Sequence, residues 1–158
     1  MKLSDYTIDH SCIDWPRVLQ DWRWLVPSRL TVWVMNQFGD LFVTLDDGTV
    51  HMLDVGGGTF NEVAKNCDDF AQKIDDEDHA NQWLMIPLID KLVASRVTLS
   101  KGKCYGYCIP PVLGGDYTLE NTFVISIPEH FSFHASIHQQ IKDVPDGTQV
   151  TIEVQDGE

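Results

Sequence analysis

The chain has 158 residues, of which 43% are apolar, so it is long enough for one domain with its own core and too hydrophobic to be disordered. Its 24 acidic and 11 basic side chains give a formal net charge of −13, which disfavours binding to nucleic acids and anionic membranes and favours basic partners. No apolar run approaches the roughly 20 residues of a membrane-spanning helix, and no signal-peptide core follows Met1–Asp5, so we expect a cytoplasmic protein.

Four cysteines are present, and in a reducing compartment they are expected as free thiols: Cys12, Cys67, Cys104 and Cys108. On one strand, Cys104 and Cys108 would lie about 13 Å apart at roughly 3.3 Å per residue. A disulfide needs Cα atoms within about 4.4–6.8 Å. A bridge between these two would therefore require a turn at Gly106.

The first third of the chain predicts a helix followed by a β-hairpin. Asp14 is a helix-capping residue, Pro16 suits the first turn, and apolar residues recur at helical spacing until Pro27. The segments 41–45 and 49–53 are two short predicted strands on either side of an Asp-Asp-Gly turn, which is a strong local signal for a hairpin. Gly39-Asp40 predicts a further turn before them.

The middle of the chain predicts two helical segments. Thr59 and Glu62 fit a capping box after the glycines 56–58, so we expect a helix from Thr59 to Ile74. The glycine run itself is interpreted as a tight connection, because it lacks the lysine of a phosphate-binding loop. A second helix is expected over 78–94, either kinked at Pro87 or divided there into two.

The last third predicts mostly β-structure with one helix. A strand is expected near 106–111, another over 122–127, a short helix over 131–141, and a final strand over 149–154 after an Asp146-Gly147 turn. Helices and strands in mixed order, with hairpins, indicate an α+β fold. We expect a single domain in which helices pack on an antiparallel sheet.

Three histidines have the spacing of one helical face. His130, His134 and His138 are separated by four residues each, and imidazoles at this spacing can bind zinc. The H-E-x-x-H pattern of metalloproteases is absent. We therefore expect packing histidines, with no metal site, no cofactor and no catalytic residues, and we keep as alternatives a metal-dependent enzyme using this cluster or a regulatory interaction module.

An acidic cluster is the candidate partner-binding site. It consists of Asp68, Asp69, Asp75, Asp76, Glu77 and Asp78. On the predicted helix ending at Ile74, acids near the C-terminus would oppose the macrodipole, a mild cost that favours a functional explanation. The cluster predicts a docking face for a basic partner, and the alternative is a solvated face that keeps the protein soluble.

Several motifs together resemble a known family. They are 110–117 (PPVLGGDY), Glu120-Asn121, 137–141 (IHQQI) and 145–148 (PDGT), preceded by 36–43 (NQFGDLFV), Asp47-Gly48 and Leu53-Asp54. Over about residues 22–150 the chain resembles the C-terminal domain of the type VI secretion DNase-immunity family. It is also broadly similar to the SUKH superfamily of α+β immunity proteins. In this comparison Gly114 and Gly115 are interpreted as structural turn residues.

The resemblance implies a non-catalytic protein that binds a nuclease toxin stoichiometrically and blocks it. A nuclease cleft is basic because it holds a polyanion, and an acidic partner is steered toward it. Larger members of the family resemble a two-part protein with an N-terminal GAD-like domain. We expect that part to be shortened or missing here, so that residues 1–158 form one immunity-protein-like domain and 1–21 a short extension or first helix.

Overall fold

The computed structural model describes residues 2–145, 147–149 and 151. Within these residues the six strands and five α-helices are, in chain order, α1 (Trp15–Val18), β1 (Thr31–Met35), β2 (Leu41–Thr44), β3 (Val50–Asp54), β4 (Thr59–Ala64), α2 (Cys67–Ile74), α3 (Glu77–Leu84), α4 (Ile86–Ala94), β5 (Lys103–Tyr107), β6 (Thr122–Ser126) and α5 (Ile127–Ile141). Strands β1 to β4 form an antiparallel sheet in chain order, and β5 pairs with β6 in a second sheet. The predicted α+β class, an antiparallel sheet with packed helices, is confirmed.

The predicted hairpin is β2 and β3. Leu41 pairs with Leu53, and Thr44 pairs with Val50. In the turn, the Asp47 carboxylate accepts hydrogen bonds from the backbone N–H and the hydroxyl of Thr49, at 3.0 and 2.6 Å. An aspartate that bonds the backbone two residues on is a common way to close a turn.

The predicted helix beginning at Thr59 is wrong, because residues 59–64 form strand β4. The glycines 56–58 turn the chain back onto β3, and the Gly58 N–H donates to the Asp54 carbonyl at 2.8 Å. Pairing with β3 gives hydrogen-bond partners to the backbone groups on one edge of this segment, without a helix. Helix α2 starts only at Cys67, where the Asn66 side chain accepts from the Asp69 N–H at 2.8 Å. The tight connection predicted for the glycines is confirmed.

Two other helix predictions change in extent. The first helix stops after four residues, and a 3-10 turn over Gln20–Trp22 follows it. The segment around Pro87 divides into α3 and α4 at Met85, which has φ of +53°. Proline in the first turn of α4 loses no helical hydrogen bond, so two helices fit here better than one kinked helix.

In the last third, β6 matches the predicted strand, and the helix begins earlier than predicted. The Ser126 hydroxyl accepts from the Glu129 N–H at 3.3 Å and Pro128 occupies the first turn, so α5 starts at Ile127. The predicted strand over 149–154 and the turn at Asp146 lie mainly outside the described residues.

The middle of the four-stranded sheet, around β2, is covered on both faces. On one side Leu41, Val43 and Leu53 pack with Trp22 and Phe131 of α5. On the other side lie Phe42, Val50, Phe70 and Trp83, from the sheet and from α2 and α3. Because both faces are covered, β2 is apolar without alternation. Helices α2 and α3, which cover the second face, also carry the acidic cluster.

Candidate functional site

The acidic cluster is divided between the two ends of α2. Asp68 and Asp69 lie in its first turn, whereas the four acids 75–78 lie at its C-cap and in the first turn of α3. Eight helical residues put the groups about 12 Å apart. Asp69 forms an ion pair with Lys73 at 3.1 Å and accepts from the Lys65 N–H, which lowers its pKa. The acids 75–78 are exposed and form the continuous part of the cluster.

The macrodipole argument for this cluster is wrong in detail. Asp68 and Asp69 at the start of α2, and Glu77 and Asp78 at the start of α3, lie at helix N-termini, where negative charge is favourable. The prediction assumed a longer helix beginning at Thr59. Most of these acids thus stabilise the start of a helix. Their binding to a partner stays a prediction.

The three histidines share one buried face of α5, as predicted. The rings of His130 and His134 are 4.6 Å apart, and those of His134 and His138 are 6.1 Å apart. The His138 Nε2 atom lies 2.8 Å from the Val55 carbonyl, within hydrogen-bond distance. Within the described part of the chain, no group of three His, Cys, Asp or Glu side chains is arranged to hold a metal ion.

Sequence reasoning did not find a cleft of about 790 Å³. Its walls come from β3 and β4, from the end of α3, from Tyr107 in β5, from the loop after β5, and from His130 and His134 on α5. A volume of this size is within the range of small-molecule binding sites. Asp40 and Asp54 supply its acidic groups.

Asp40 is fixed by a network of buried hydrogen bonds. Its carboxylate accepts from the Asn36 side chain at 3.0 Å and from the Val55 N–H at 2.9 Å. Asn36 is fully buried, and its side-chain oxygen accepts from the N–H groups of Phe38 and Asp40. Its amide also donates to the Trp83 carbonyl at the end of α3. The network therefore fixes the position of Asp40 relative to both walls.

Burial controls the protonation of the cleft. It raises the pKa of Asp40 to about 8, with a further contribution from the negative charge of Asp54. Burial also lowers the pKa of His130 to about 4 and, together with the neighbouring histidines, that of His134 to about 2. The pKa of Tyr107 is raised by burial and by Asp40. At neutral pH both imidazoles are therefore uncharged.

The loop after β5 is held by Asn121. Its side chain accepts from the Ile109 N–H at 2.9 Å and donates to the carbonyls of Ile109 and Asp116, each at 2.8 Å. A Cβ atom on Gly115 would lie 1.7 Å from the Ile109 carbonyl oxygen, so only glycine fits there. Gly114 has φ of +97°. Both glycines are turn residues whose backbone must be tight, in agreement with the interpretation from sequence.

The motif residues converge on this cleft. Asp40 and Asp54 belong to the first group of motifs, and Val112, Gly115 and Tyr117 belong to the 110–117 motif. These two groups are far apart in the sequence and meet only in the fold. A sequence signal for the cleft therefore existed, but without the β-sheet in place nothing linked the two groups.

Comparison with known proteins identifies one family. Residues 64–138 match the model described as T6SS immunity protein Tdi1, C-terminal. The matched segment runs from the last residue of β4 into α5 and contains the acidic cluster, the loop after β5 and the three histidines. No curated protein matches the chain. None of the helices in the described residues is long and apolar enough to cross a membrane. Over residues 64–138 the chain is thus similar to the C-terminal part of type VI secretion immunity proteins, the family that its motifs resemble.

Proposed function

We propose that this protein is a non-catalytic immunity protein that binds a secreted nuclease toxin of the DNase type and neutralises it in the cytoplasm. The observation that carries the proposal is the match of residues 64–138 to a type VI secretion immunity family. The proposal treats residues 1–158 as one immunity domain of the broader SUKH-like kind. It requires no cofactor, because inhibition follows from occupying or distorting the toxin's active site.

The charge of the molecule supports a nuclease as the partner. The formal net charge is −13, and a nuclease must carry a basic surface to hold its substrate. Complementary charges raise association rates to about 10⁸–10⁹ M⁻¹s⁻¹ at low salt. An acidic inhibitor also competes directly with the polyanionic substrate for the same basic surface.

Within the acidic cluster, we propose the acids 75–78 as the main contact surface and Asp68 and Asp69 as its periphery. The four acids are consecutive, and all are exposed. Among the described residues, no lysine or arginine forms an ion pair with them, and the Asp76 carboxylate lies 2.7 Å from Nδ1 of His79. Asp69, by contrast, is already paired with Lys73. Charges that are exposed and without a Lys or Arg partner are those most available for steering a basic protein.

The test is co-expression of the tagged protein with candidate toxins encoded beside its gene, followed by co-purification and a nuclease assay. A stoichiometric complex that suppresses DNA cleavage is the expected result. Failure of every neighbouring toxin to bind, with cells killed despite expression of this protein, would overturn the proposal.

A matched pair of variants tests the contact surface. One variant carries Asp75→Asn, Asp76→Asn, Glu77→Gln and Asp78→Asn. The control carries Glu62→Gln, Glu120→Gln, Glu129→Gln and Asp143→Asn, four exposed acids elsewhere on the protein. Both remove four negative charges, so a larger fall in association rate for the first variant supports the cluster, and equal falls would show that only net charge matters.

A further inference from the structure

The acidic groups of the cleft are not neutralised within the described part of the chain. No lysine or arginine is among the lining residues, and the ion pairs found there involve neither Asp40 nor Asp54. A charge that is buried without an opposite charge is costly. In the free protein Asp40 avoids this cost by keeping its proton, and a cation bound in the cleft would instead allow Asp40 to ionise.

Among the described residues, two buried histidine nitrogens at the cleft have no hydrogen bond of good geometry, although the Phe38 backbone lies close enough to His130 to raise its pKa. They are Nε2 of His130 and Nδ1 of His134, on side chains that are 3% and 1% exposed. Buried polar atoms are nearly always paired in folded proteins. A neutral imidazole presents one nitrogen as an acceptor, so a donor-rich group entering the cleft would meet acceptors from both carboxylates and from these rings.

The remaining walls are aromatic and aliphatic. Trp83, Tyr107 and Tyr117 line the cleft together with Met52 and Met85. Aromatic faces attract guanidinium and ammonium groups, and apolar walls pack against the methylene stem that carries them. Tyr117 is 64% exposed at the rim, where it is available to an incoming side chain.

We propose that the cleft binds a basic side chain of the partner toxin, with an arginine guanidinium between Asp40 and Asp54 and its stem against the aromatic wall. This inference rests on the proposed immunity function and adds a second contact to the acidic cluster. Arginine fits better than lysine because its five fixed donors match several separate acceptors. An anionic ligand is disfavoured by the same two carboxylates.

Binding should also release a proton. A cation favours the ionised form of Asp40, whose pKa is about 8 in the free protein, so affinity should rise as the pH rises from about 6.5 to 8. The groups around Asp40 whose pKa is shifted do not titrate in this range. Burial lowers the pKa of His130 and His134 below the range, and burial raises the pKa of Cys104, Tyr107 and Tyr117. The other charged group that acts on Asp40 is the Asp54 carboxylate.

The first experiment uses n-butylguanidinium as the probe and n-butylurea as its uncharged analogue. Binding is followed by the NMR signals of the Trp83 indole and by calorimetry in buffers of different ionisation enthalpy, which report proton release. We expect butylguanidinium to bind at least about tenfold more tightly than butylurea, the size of effect of one charge-assisted hydrogen bond. Equal binding of the two probes, or none, would overturn the inference.

Variants locate the site. Asp40→Asn and Asp54→Asn should each weaken butylguanidinium binding about tenfold, whereas Asp75→Asn removes the same charge outside the cleft and should leave it unchanged. Tyr117→Leu is the fallback if Asp40→Asn fails to fold, because it changes only the exposed rim. Urea denaturation of each variant shows whether it is folded. A loss with Asp75→Asn as large as with Asp54→Asn would contradict the cleft.

The toxin complex separates the two proposals. If the toxin binds wild type, Asp40→Asn and Asp54→Asn equally, the cleft inference fails and the immunity function stands. If butylguanidinium binds but no toxin does, the immunity function fails. The ligand of the cleft is then a free alkylguanidinium compound, and the inference that an arginine of a protein binds there is overturned. Weaker toxin binding by both variants, with Asp75→Asn as the control, supports the inference.

Discussion

The side-chain nitrogen of Asn36 donates a hydrogen bond to the backbone carbonyl of Trp83 at 2.9 Å, across 47 positions of sequence. This bond joins the turn before β2 to the last turn of α3. The same side chain bonds Asp40 and the backbone of Phe38. One fully buried amide thus joins the two walls of the cleft.

We expect Asn36→Ala to lower the free energy of unfolding by about 3 kcal/mol, because it leaves several buried polar groups without partners. Gln37→Ala is the matched control: its side chain makes one exposed hydrogen bond, to the Asp5 carbonyl, so a loss under about 1 kcal/mol is expected. Urea denaturation measures both. Similar losses for the two variants would contradict the role assigned to Asn36.

Gly58→Ala should destabilise the protein more than Gly48→Ala. Both glycines have positive φ, +71° and +85°, which costs an alanine about 1–2 kcal/mol. A Cβ atom on Gly58 would also lie 2.6 Å from Nδ1 of His138, whereas one on Gly48 meets nothing within 4 Å. Thermal or urea unfolding of the two variants measures the difference in stability between them. Equal losses would show that the His138 ring moves away from the added Cβ atom at no cost in free energy.

The stability of wild type should fall between about pH 6.5 and 8. Asp40 has a folded-state pKa of about 8 against an ordinary value of 3.8, so the folded state retains a proton that the unfolded state has released. This group therefore lowers the unfolding free energy as pH rises, by up to about 1.4 kcal/mol per pH unit. Below about 6.5 the lowered pKa of His130 acts in the opposite direction.

The pH effect is checked by urea denaturation across that range. Asp40→Asn should remove the decline, and Asp75→Asn should keep it, because Asp75 is exposed. A decline of the same slope in Asp40→Asn would assign the effect to another group.

Asn121→Ala should loosen the loop after β5. The side chain makes three hydrogen bonds to the backbone of Ile109 and Asp116, and the variant loses all of them. We expect faster amide hydrogen exchange in residues 108–117 and a stability loss of about 2 kcal/mol. Glu120→Ala, an exposed neighbour, is the control and should leave exchange there unchanged.

Thiol labelling should distinguish one cysteine from three. Cys12, Cys67 and Cys108 are exposed and free, whereas Cys104 is buried with a raised pKa because of its burial and the charge of Asp40. Three thiols should react quickly with an aromatic disulfide reagent in the native protein, and the fourth only on unfolding. Fast reaction of all four would contradict the burial of Cys104.

The sequence predicted those elements whose signals are local. The β2–β3 hairpin follows from its Asp-Gly turn, and the histidine face of α5 follows from helical spacing. Prediction failed at Thr59, where a capping-box pattern competes with strand pairing, because tertiary contacts with β3 decide the outcome. The cleft could not be predicted, since it requires the β-turn at Gly39-Asp40 and the loop at 110–117 to meet.

The family match begins at Ala64, which still pairs with Val50 inside the sheet. The boundary therefore divides the cleft: its two carboxylates precede the boundary, and its histidines, Trp83 and the loop follow it. Neither group of residues can form the cleft alone, so the cleft exists only where both parts of the chain are folded together.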